Sequence, residues 1–364
     1  MYKVKFLSLN KEYVFLKEEI DKAIRNVIES GQFILGKEVE AFERNFASYI
    51  GTRHGIGVAS GTDAIFLALN ALNLPKGSEV ITQSFTFISV ADSIVRNNLK
   101  PVFCDINEKT FNSEPEQIKK LITKNTSAII VQNMYGLPSK MDEIMEISKD
   151  ENIFVIEDCS HAHGATYKNR KVGSFGHVSC FSFYPAKILG AYGDAGIVLT
   201  NNDEIAERLR MLRNYGQRRK YYHDLIGYNS RLDEIQAAIL NVKLKYLDEF
   251  VSKRRKIAQV YKEHLFNTVE FQEEYEDAIH AYGYFVIKCK YRDKLHEFLK
   301  KEGIETIIHY PLPIHQQNSY KEYNSLYLPF TEKVSNNVLS LPMHPFLENN
   351  EIEYLCRKII EFYK

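Results

Sequence analysis

Short apolar runs that alternate with amphipathic helical stripes set the main constraint on this chain. The runs are GIGVAS (55–60), EVITQ (79–83), KPVFCDI (100–106), SAIIVQN (127–133), IFVIEDCS (153–160), HVSCFSF (177–183) and AGIVLTN (195–201). Helix patterns lie between several of them, including TDAIFLALNAL (62–72) and MDEIMEISKDEN (141–152). Two more precede the first run. KEEIDKAIRNVIES (17–30) carries Ile20, Ile24, Val27 and Ile28 on one stripe closed by Gly31, and KEVEAFERNFASYI (37–50) carries Val39, Phe42, Phe46 and Ile50. Strands that read as unbroken apolar runs are buried on both faces. The alternation therefore predicts an α/β fold, with a mixed, mostly parallel sheet between helices. Only a loop joins the last two runs, which lets them pair antiparallel.

Downstream the pattern changes. Residues 232–265 form one long helical pattern that allows a bend, AYGYFVIKCK (281–290) reads as a strand and RDKLHEFLKKEG (292–303) as a helix. A chain of 364 residues is too long for one small core. The expected division is a large domain over 1–245 and a smaller α+β domain over 246–364.

Charge and composition exclude some partners. Lys plus Arg and Asp plus Glu both number 47, so no global field holds nucleic acid or an anionic membrane. No run of 18 apolar residues spans a membrane, and the N-terminus lacks a signal-peptide pattern. The five scattered cysteines read as reduced core residues, which with the missing signal points to the cytoplasm.

Three stretches carry chemistry. In HGIGVASGTDAIFLAL (54–69), Gly55, Gly57 and Gly61 resemble a dinucleotide loop, but the first two lie inside the predicted strand. Ser60-Gly61-Thr62-Asp63 instead sits where a strand turns into a helix. It reads either as a plain N-cap or as a phosphate site built on free helix amides. In IFVIEDCSHAHGA (153–165), Asp158 ends a buried strand, where α/β sheets bind ligands. It is either a structural carboxylate or the partner of a buried cation such as a protonated pyridine nitrogen. Asp158, Cys159, His161 and His163 also supply metal-ligand atoms, without a second cluster to complete a site. In SFYPAKILGAYGDAG (182–196), Lys187 lies among aromatic and small residues. A partly desolvated amine is a better nucleophile and condenses with aldehydes. Ser182, five residues earlier, offers a hydroxyl to a phosphate. One ligand carries an aldehyde, a ring nitrogen and a phosphate together: pyridoxal phosphate.

The chain resembles the sugar-nucleotide aminotransferases of the DegT/DnrJ/EryC1/StrS group, which have the type I (aspartate aminotransferase) fold of PLP-dependent transferases. The resemblance covers nearly the whole chain. It is carried by SGQFILGKEVEAFE, SGTDAIFLALNAL, QSFTFISVADSI, VIEDCSHAHGA, SFYPAKILGAYGDAGIVLTNN, RNYGQ and GYNSRLDEIQAAIL. It implies that Lys187 carries the cofactor and that Asp158 holds its ring nitrogen. Phe87 would stack on the ring and His161 would lie near the phenolic oxygen. Gly61, Thr62 and Asp63 (backbone amides) with Ser182 would bind the phosphate. Asn229 would reach the phosphate of a neighbouring subunit, which implies a homodimer with shared active sites.

Two stretches depart from the group's common pattern. Many members read K-N-L-G where this chain has Lys187-Ile188-Leu189-Gly190, and H-L-Y-G where it has Asn133-Met134-Tyr135-Gly136. A sister group with histidine in place of the lysine dehydrates sugars instead. By resemblance the amino donor is L-glutamate and the acceptor a nucleotide-linked keto sugar. IIHYPLPIHQQ (307–317) matches a rim loop, which makes His309, Tyr310 and His315 substrate-side candidates, with Tyr184 and Arg231 beside them. The form of the Lys187 loop is most similar to members that aminate C-3, so a dTDP-3-keto-6-deoxyhexose is the expected acceptor. The alternative is a C-4 keto sugar on UDP, GDP or dTDP.

Overall fold

The structure, a computed structural model, describes residues 2–364. Its centre is a seven-stranded sheet of β1 (His54–Val58), β2 (Glu79–Gln83), β3 (Lys100–Cys104), β4 (Thr126–Gln132), β5 (Phe154–Asp158), β6 (Val178–Ser182) and β7 (Gly196–Thr200). The strand order is β1-β7-β6-β5-β4-β2-β3. The pairs β2–β3, β2–β4, β4–β5 and β5–β6 are parallel, while β7 runs antiparallel to both β6 and β1. The sheet is therefore mixed and mostly parallel, as its strand patterns predicted.

Burial on both faces explains those patterns. Helices α1 (Leu9–Ser30), α2 (Lys37–Ile50) and α3 (Gly61–Ala71) precede β2. On one face Phe42 and Phe46 of α2 pack with Phe181, Ile197 and Leu199. On the other, Ile65 and Leu69 of α3 pack with Val178, Cys180 and Val198. Alternate residues of β6 and β7 thus go to opposite cores, the two-residue period of a strand. Phe46 meets Phe181 and Phe183 edge-on, with ring centroids 5.0 and 5.2 Å apart. Truncating such a ring to alanine costs about 3–5 kcal/mol.

Two expected elements differ. The pattern read as one helix over 232–265 is two, α4 (Glu234–Leu244) and α5 (Leu247–Leu265). No Gly or Pro marks the break; Lys245 and Tyr246 turn away to bond Glu19 of α1. The strand expected over 281–290 is shorter. A three-stranded antiparallel sheet contains β8 (Glu270–Phe271), β9 (Phe285–Lys288) and β10 (Val338–Leu341). Tyr282 has φ 50°, in the left-handed region, so the backbone turns there and β9 begins only at Phe285. The N-terminal residues join this second unit, because Val4 bridges Ile304 and the Phe6 amide donates to Glu305 at 2.9 Å. No helix among the described residues is long and apolar enough to cross a membrane.

Candidate active site

The carboxyl ends of β1, β2, β4, β5 and β6 lie at one edge of the sheet, together with the start of the reversed β7. A cavity of about 330 Å³ opens there, within the range of ligand pockets. Each strand end contributes side chains through the loop that follows it. They are Gly61 and Thr62 after β1, Thr86, Phe87 and Ser89 after β2, Asn133 after β4, Asp158, Ser160 and His161 at β5, and Ser182, Tyr184 and Lys187 at β6. Tyr284, His309 and Tyr310 close the wall from the second unit.

Tight backbone packing makes the cradle at one end. A Cβ at Gly61 would fall 2.4 Å from the Ser182 Cβ, and one at Gly196 would fall 2.3 Å from the Ser60 carbonyl oxygen. Only glycine lets these three chain segments meet. The Ser60 hydroxyl caps α3 by accepting the Asp63 amide at 3.1 Å. Ser60 is therefore an N-cap, and the earlier amides of Gly61 and Thr62 remain as helix-end donors. Such an end, with Ser182 beside it, suits a phosphate.

Asp158 stands at the far end of β5. Its Oδ1 accepts the Ser160 amide at 3.1 Å. Burial holds its carboxyl above the usual range, partly offset by the Ser160 hydrogen bonds and the Lys187 charge. A carboxylate desolvated in this way gains from a cationic donor in the cavity. Lys187 is half-buried, and its Nζ lies 5.7 Å from the centre of the Tyr284 ring. Its amide donates to the Tyr184 carbonyl at 2.8 Å, a turn that sets the amine into the cavity. Phe87 and Tyr184 keep exposed rings at the mouth, at 54% and 55%.

The histidines divide by position. His161 and His309 line the cavity, and burial pushes both below the usual imidazole range, His309 to about 3. Tyr310 Oη lies 3.5 Å from His161 Nε2, and the His309 and Tyr284 rings stack with centroids 4.2 Å apart. His163 instead lies in the core between Phe181 and Phe183, with no partner at either ring nitrogen. His161 and His163 therefore share no site, and no cluster of three metal-ligating groups occurs among the described residues.

Four expected residues stand outside the cavity. The Asp63 amide belongs to the Ser60 cap, and its carboxylate accepts from Ser230 at 2.6 Å. Asn229 is exposed and bridges Asn214. Arg231 donates to Asn214 Oδ1 at 3.1 Å, and pairs with neither Asp233 nor Glu234. His315 is fully buried; its Nδ1 lies 2.8 Å from the Ser84 hydroxyl and its Nε2 faces Glu332 at 3.4 Å. Conversely, Thr86, Ser89, Asn133, Ser160 and Tyr284 line the cavity unanticipated. The first four flank residues that the motifs singled out. Tyr284 has no local signal, because another part of the chain brings it in.

Taken together, the residues present fit pyridoxal phosphate: a lysine amine, a desolvated carboxylate, and a glycine-lined helix end beside a serine. Comparison with known proteins points the same way. The model of the DegT/DnrJ/EryC1/StrS aminotransferase family matches residues 15–360. The chain is 43% identical to the "pleiotropic regulatory protein" of Geobacillus stearothermophilus, over 99% of both chains. It is also 43% identical to the dTDP-3-amino-3,6-dideoxy-alpha-D-galactopyranose transaminase of Aneurinibacillus thermoaerophilus, over 98% of both. Among solved structures, S. venezuelae DesV in complex with a ketimine intermediate superposes with TM-score 0.97 at 38% identity, covering 100% of this chain and 99% of that one.

Proposed function

The chain belongs to the DegT/DnrJ/EryC1/StrS aminotransferase family of PLP-dependent sugar-nucleotide aminotransferases, and from that premise we propose that it transfers the amino group of L-glutamate to C-3 of a dTDP-3-keto-6-deoxyhexose. The product is a dTDP-3-amino-3,6-dideoxyhexose. One observation carries the catalytic reading: Lys187, Asp158 and the α3 helix end converge on one cavity. The choice of sugar is supported by the 43% identity to a transaminase named for a dTDP-3-amino sugar and by the form of the Lys187 loop. Amination at C-4 of a keto sugar on UDP, GDP or dTDP is the competing outcome of the substrate test.

When bound, pyridoxal phosphate supplies an electron sink that stabilises negative charge at the carbon losing its proton. The chain's own residues do the rest. Lys187 is the one lysine among the described lining residues. Its amine would hold the cofactor's aldehyde and, when free, take a proton at Nζ and return it. Asp158 would keep the ring nitrogen protonated by accepting its N–H. Gly61, Thr62 and Ser182 would bind the phosphate, and Phe87 would cover one ring face. His161 and Tyr310 form a neutral polar wall, and Tyr184 and His309 would meet the sugar. Tyr284 presents its ring to the amine.

The same reading gives a homodimer. Asn229 and Arg231 do not line their own cavity, and they belong to a segment with strongly exposed Tyr221 (79%) and Ile226 (92%). Asn229 of each protomer would serve its partner's phosphate site. On this reading the two units divide near residue 245, where α4 gives way to α5, with Val4 and Phe6 packed on the second.

Visible absorbance tests the central claim. The purified protein should show a yellow band that bleaches with L-glutamate and is lost or shifted in Lys187→Ala. A protein that stays colourless with added pyridoxal phosphate refutes the reading. A protein that binds the cofactor but does not respond to glutamate has the regulatory character that one relative's name suggests. Assays with C-3 and C-4 keto sugars then decide the acceptor.

A further inference from the structure

Behind the Lys187 loop lies a charged pair that the reaction does not use. Lys243 of α4 is only 2% exposed, and its Nζ pairs with Glu12 of α1, itself buried. The same Nζ donates to the Gly190 carbonyl at 2.6 Å and lies 4.7 Å from the centre of the Tyr192 ring. Two helical turns earlier on α4, Gln236 accepts the Tyr192 amide at 2.8 Å. Residues seven apart share a helix face, so one face of α4 grips both ends of the Gly190–Tyr192 turn.

That turn has little freedom. A Cβ at Gly190 would lie 2.5 Å from the Pro185 carbonyl oxygen, and the Ala191 amide donates to Phe183 at 2.8 Å. The segment from Phe183 to Tyr192 is therefore folded back on itself, with Lys187 at its middle.

A buried ion pair is a poor way to stabilise a fold, because desolvation offsets most of the attraction. Burial pushes the Lys243 amine below its usual range, and the Glu12 charge and hydrogen bond oppose that. Apolar side chains would fill the space as well, but could not donate to a carbonyl. We propose that Lys243 is a positioning residue for Lys187. It fixes the Gly190 carbonyl, Glu12 balances its charge, and Gln236 provides the second tether. The inference rests on the reading of Lys187 as the cofactor-bearing amine.

Lys243→Met alone would take from Glu12 its directly paired cation, so the test uses the double variant Glu12→Gln/Lys243→Met, which removes both charges. The first readout needs no cofactor: hydrogen exchange of the 183–196 segment in the full-length apoprotein. The second is the rate at which the apoprotein captures pyridoxal phosphate, followed at the visible band. The expected result is exchange and capture both altered by about tenfold or more, the scale on which small misplacements act, with an unchanged KM for the sugar nucleotide. A folded double variant with exchange and capture both within twofold of the parent overturns the proposal. If the double variant does not fold, Gln236→Leu, which leaves the ion pair intact, is measured by the same two readouts against the same thresholds. A parent protein that never captures pyridoxal phosphate refutes the functional reading instead. The exchange readout still decides whether Lys243 holds the loop.

Discussion

Gly61 and Ser182 touch so closely that a single added Cβ at position 61 would lie 2.4 Å from the serine side chain and 3.0 Å from its backbone. The contact joins the first residue of α3 to the last residue of β6, five positions before Lys187. The α3 helix end and the Lys187 amine are thereby fixed to one another through two adjoining elements.

Gly61→Ala should break that register. Neither Ser182 contact is the tip of a flexible chain, so the backbone must give, and overpacking of this kind costs about 1–3 kcal/mol. The strain falls at the helix-end amides proposed to bind the phosphate. We expect the affinity for pyridoxal phosphate to weaken by about tenfold or more, measured by absorbance titration of the apoprotein. Ser182→Ala leaves the space open and removes one hydroxyl, so it should weaken binding less. Equal affinity in Gly61→Ala and the parent would show that the helix end does not hold the phosphate.

Asp158→Asn should separate activity from stability. Turnover should fall about 100-fold or more, the scale on which a group that places a proton acts. The apoprotein should gain stability. Burial raises the folded-state pKa of Asp158 above its unfolded value. Its contribution to stability is therefore whole below the unfolded pKa of about 4 and is lost as pH rises through the folded pKa. Asparagine keeps an oxygen for the Ser160 amide and carries no charge. Melting curves of the two apoproteins should converge near pH 4 and separate at pH 7, with the variant higher. A variant less stable than the parent at pH 7 would mean that Asp158 has a structural partner within the protein.

His163→Leu should flatten the acid limb of stability. His163 is buried with neither ring nitrogen in a well-formed hydrogen bond, and burial, with the Lys187 charge, pushes its pKa down to about 3 against the opposing pull of the Ser182 backbone. A base whose folded pKa is depressed adds stability above its unfolded pKa, about 6.5, and loses it as pH falls toward the folded value. The slope is about 1.4 kcal/mol per pH unit in that window. Leucine has no proton to take up. Denaturant midpoints from pH 7 to pH 4 should therefore fall less steeply in the variant, and near pH 7 the two proteins should be similarly stable. Parallel slopes would place a hidden partner at His163.

The residues that meet at the cavity were legible because their signals are local. Asp158 ends a five-residue apolar strand, Lys187 sits in one loop between two strands, and Ser60-Gly61 marks a strand-to-helix turn. The strands were legible because both sheet faces are buried, which leaves unbroken apolar runs. The start of α1 was not, because Glu12 is buried in its first turn as the partner of Lys243 and interrupts the stripe. The break between α4 and α5 has no Gly or Pro and follows from contacts with Glu19. Tyr284 enters the cavity from the start of β9, almost a hundred residues beyond Lys187. Long-range placement of that kind leaves no pattern in a single sequence.

The two rim histidines carry the sharpest contrast between motif and geometry. His309 and His315 lie in one loop, and the motif treats them alike. In the fold, His309 lines the cavity with its Nδ1 at 2.9 Å from the Ser340 hydroxyl. His315 is fully buried, and its backbone amide donates to Ser84 at 3.0 Å while its ring nitrogens meet Ser84 and Glu332. It ties the loop to the end of β2. His315→Ala leaves buried partners unsatisfied and should cost about 1–3 kcal/mol, seen as a lower denaturant midpoint, with the KM for the sugar nucleotide near that of the parent. His309→Ala removes the Tyr284 stack and the bond to the buried Ser340 hydroxyl, so it should lower the midpoint too, but unlike His315→Ala it should also raise that KM about tenfold if His309 meets the sugar. If His315→Ala instead raises KM without loss of stability, then the loop rearranges on binding and brings His315 to the sugar.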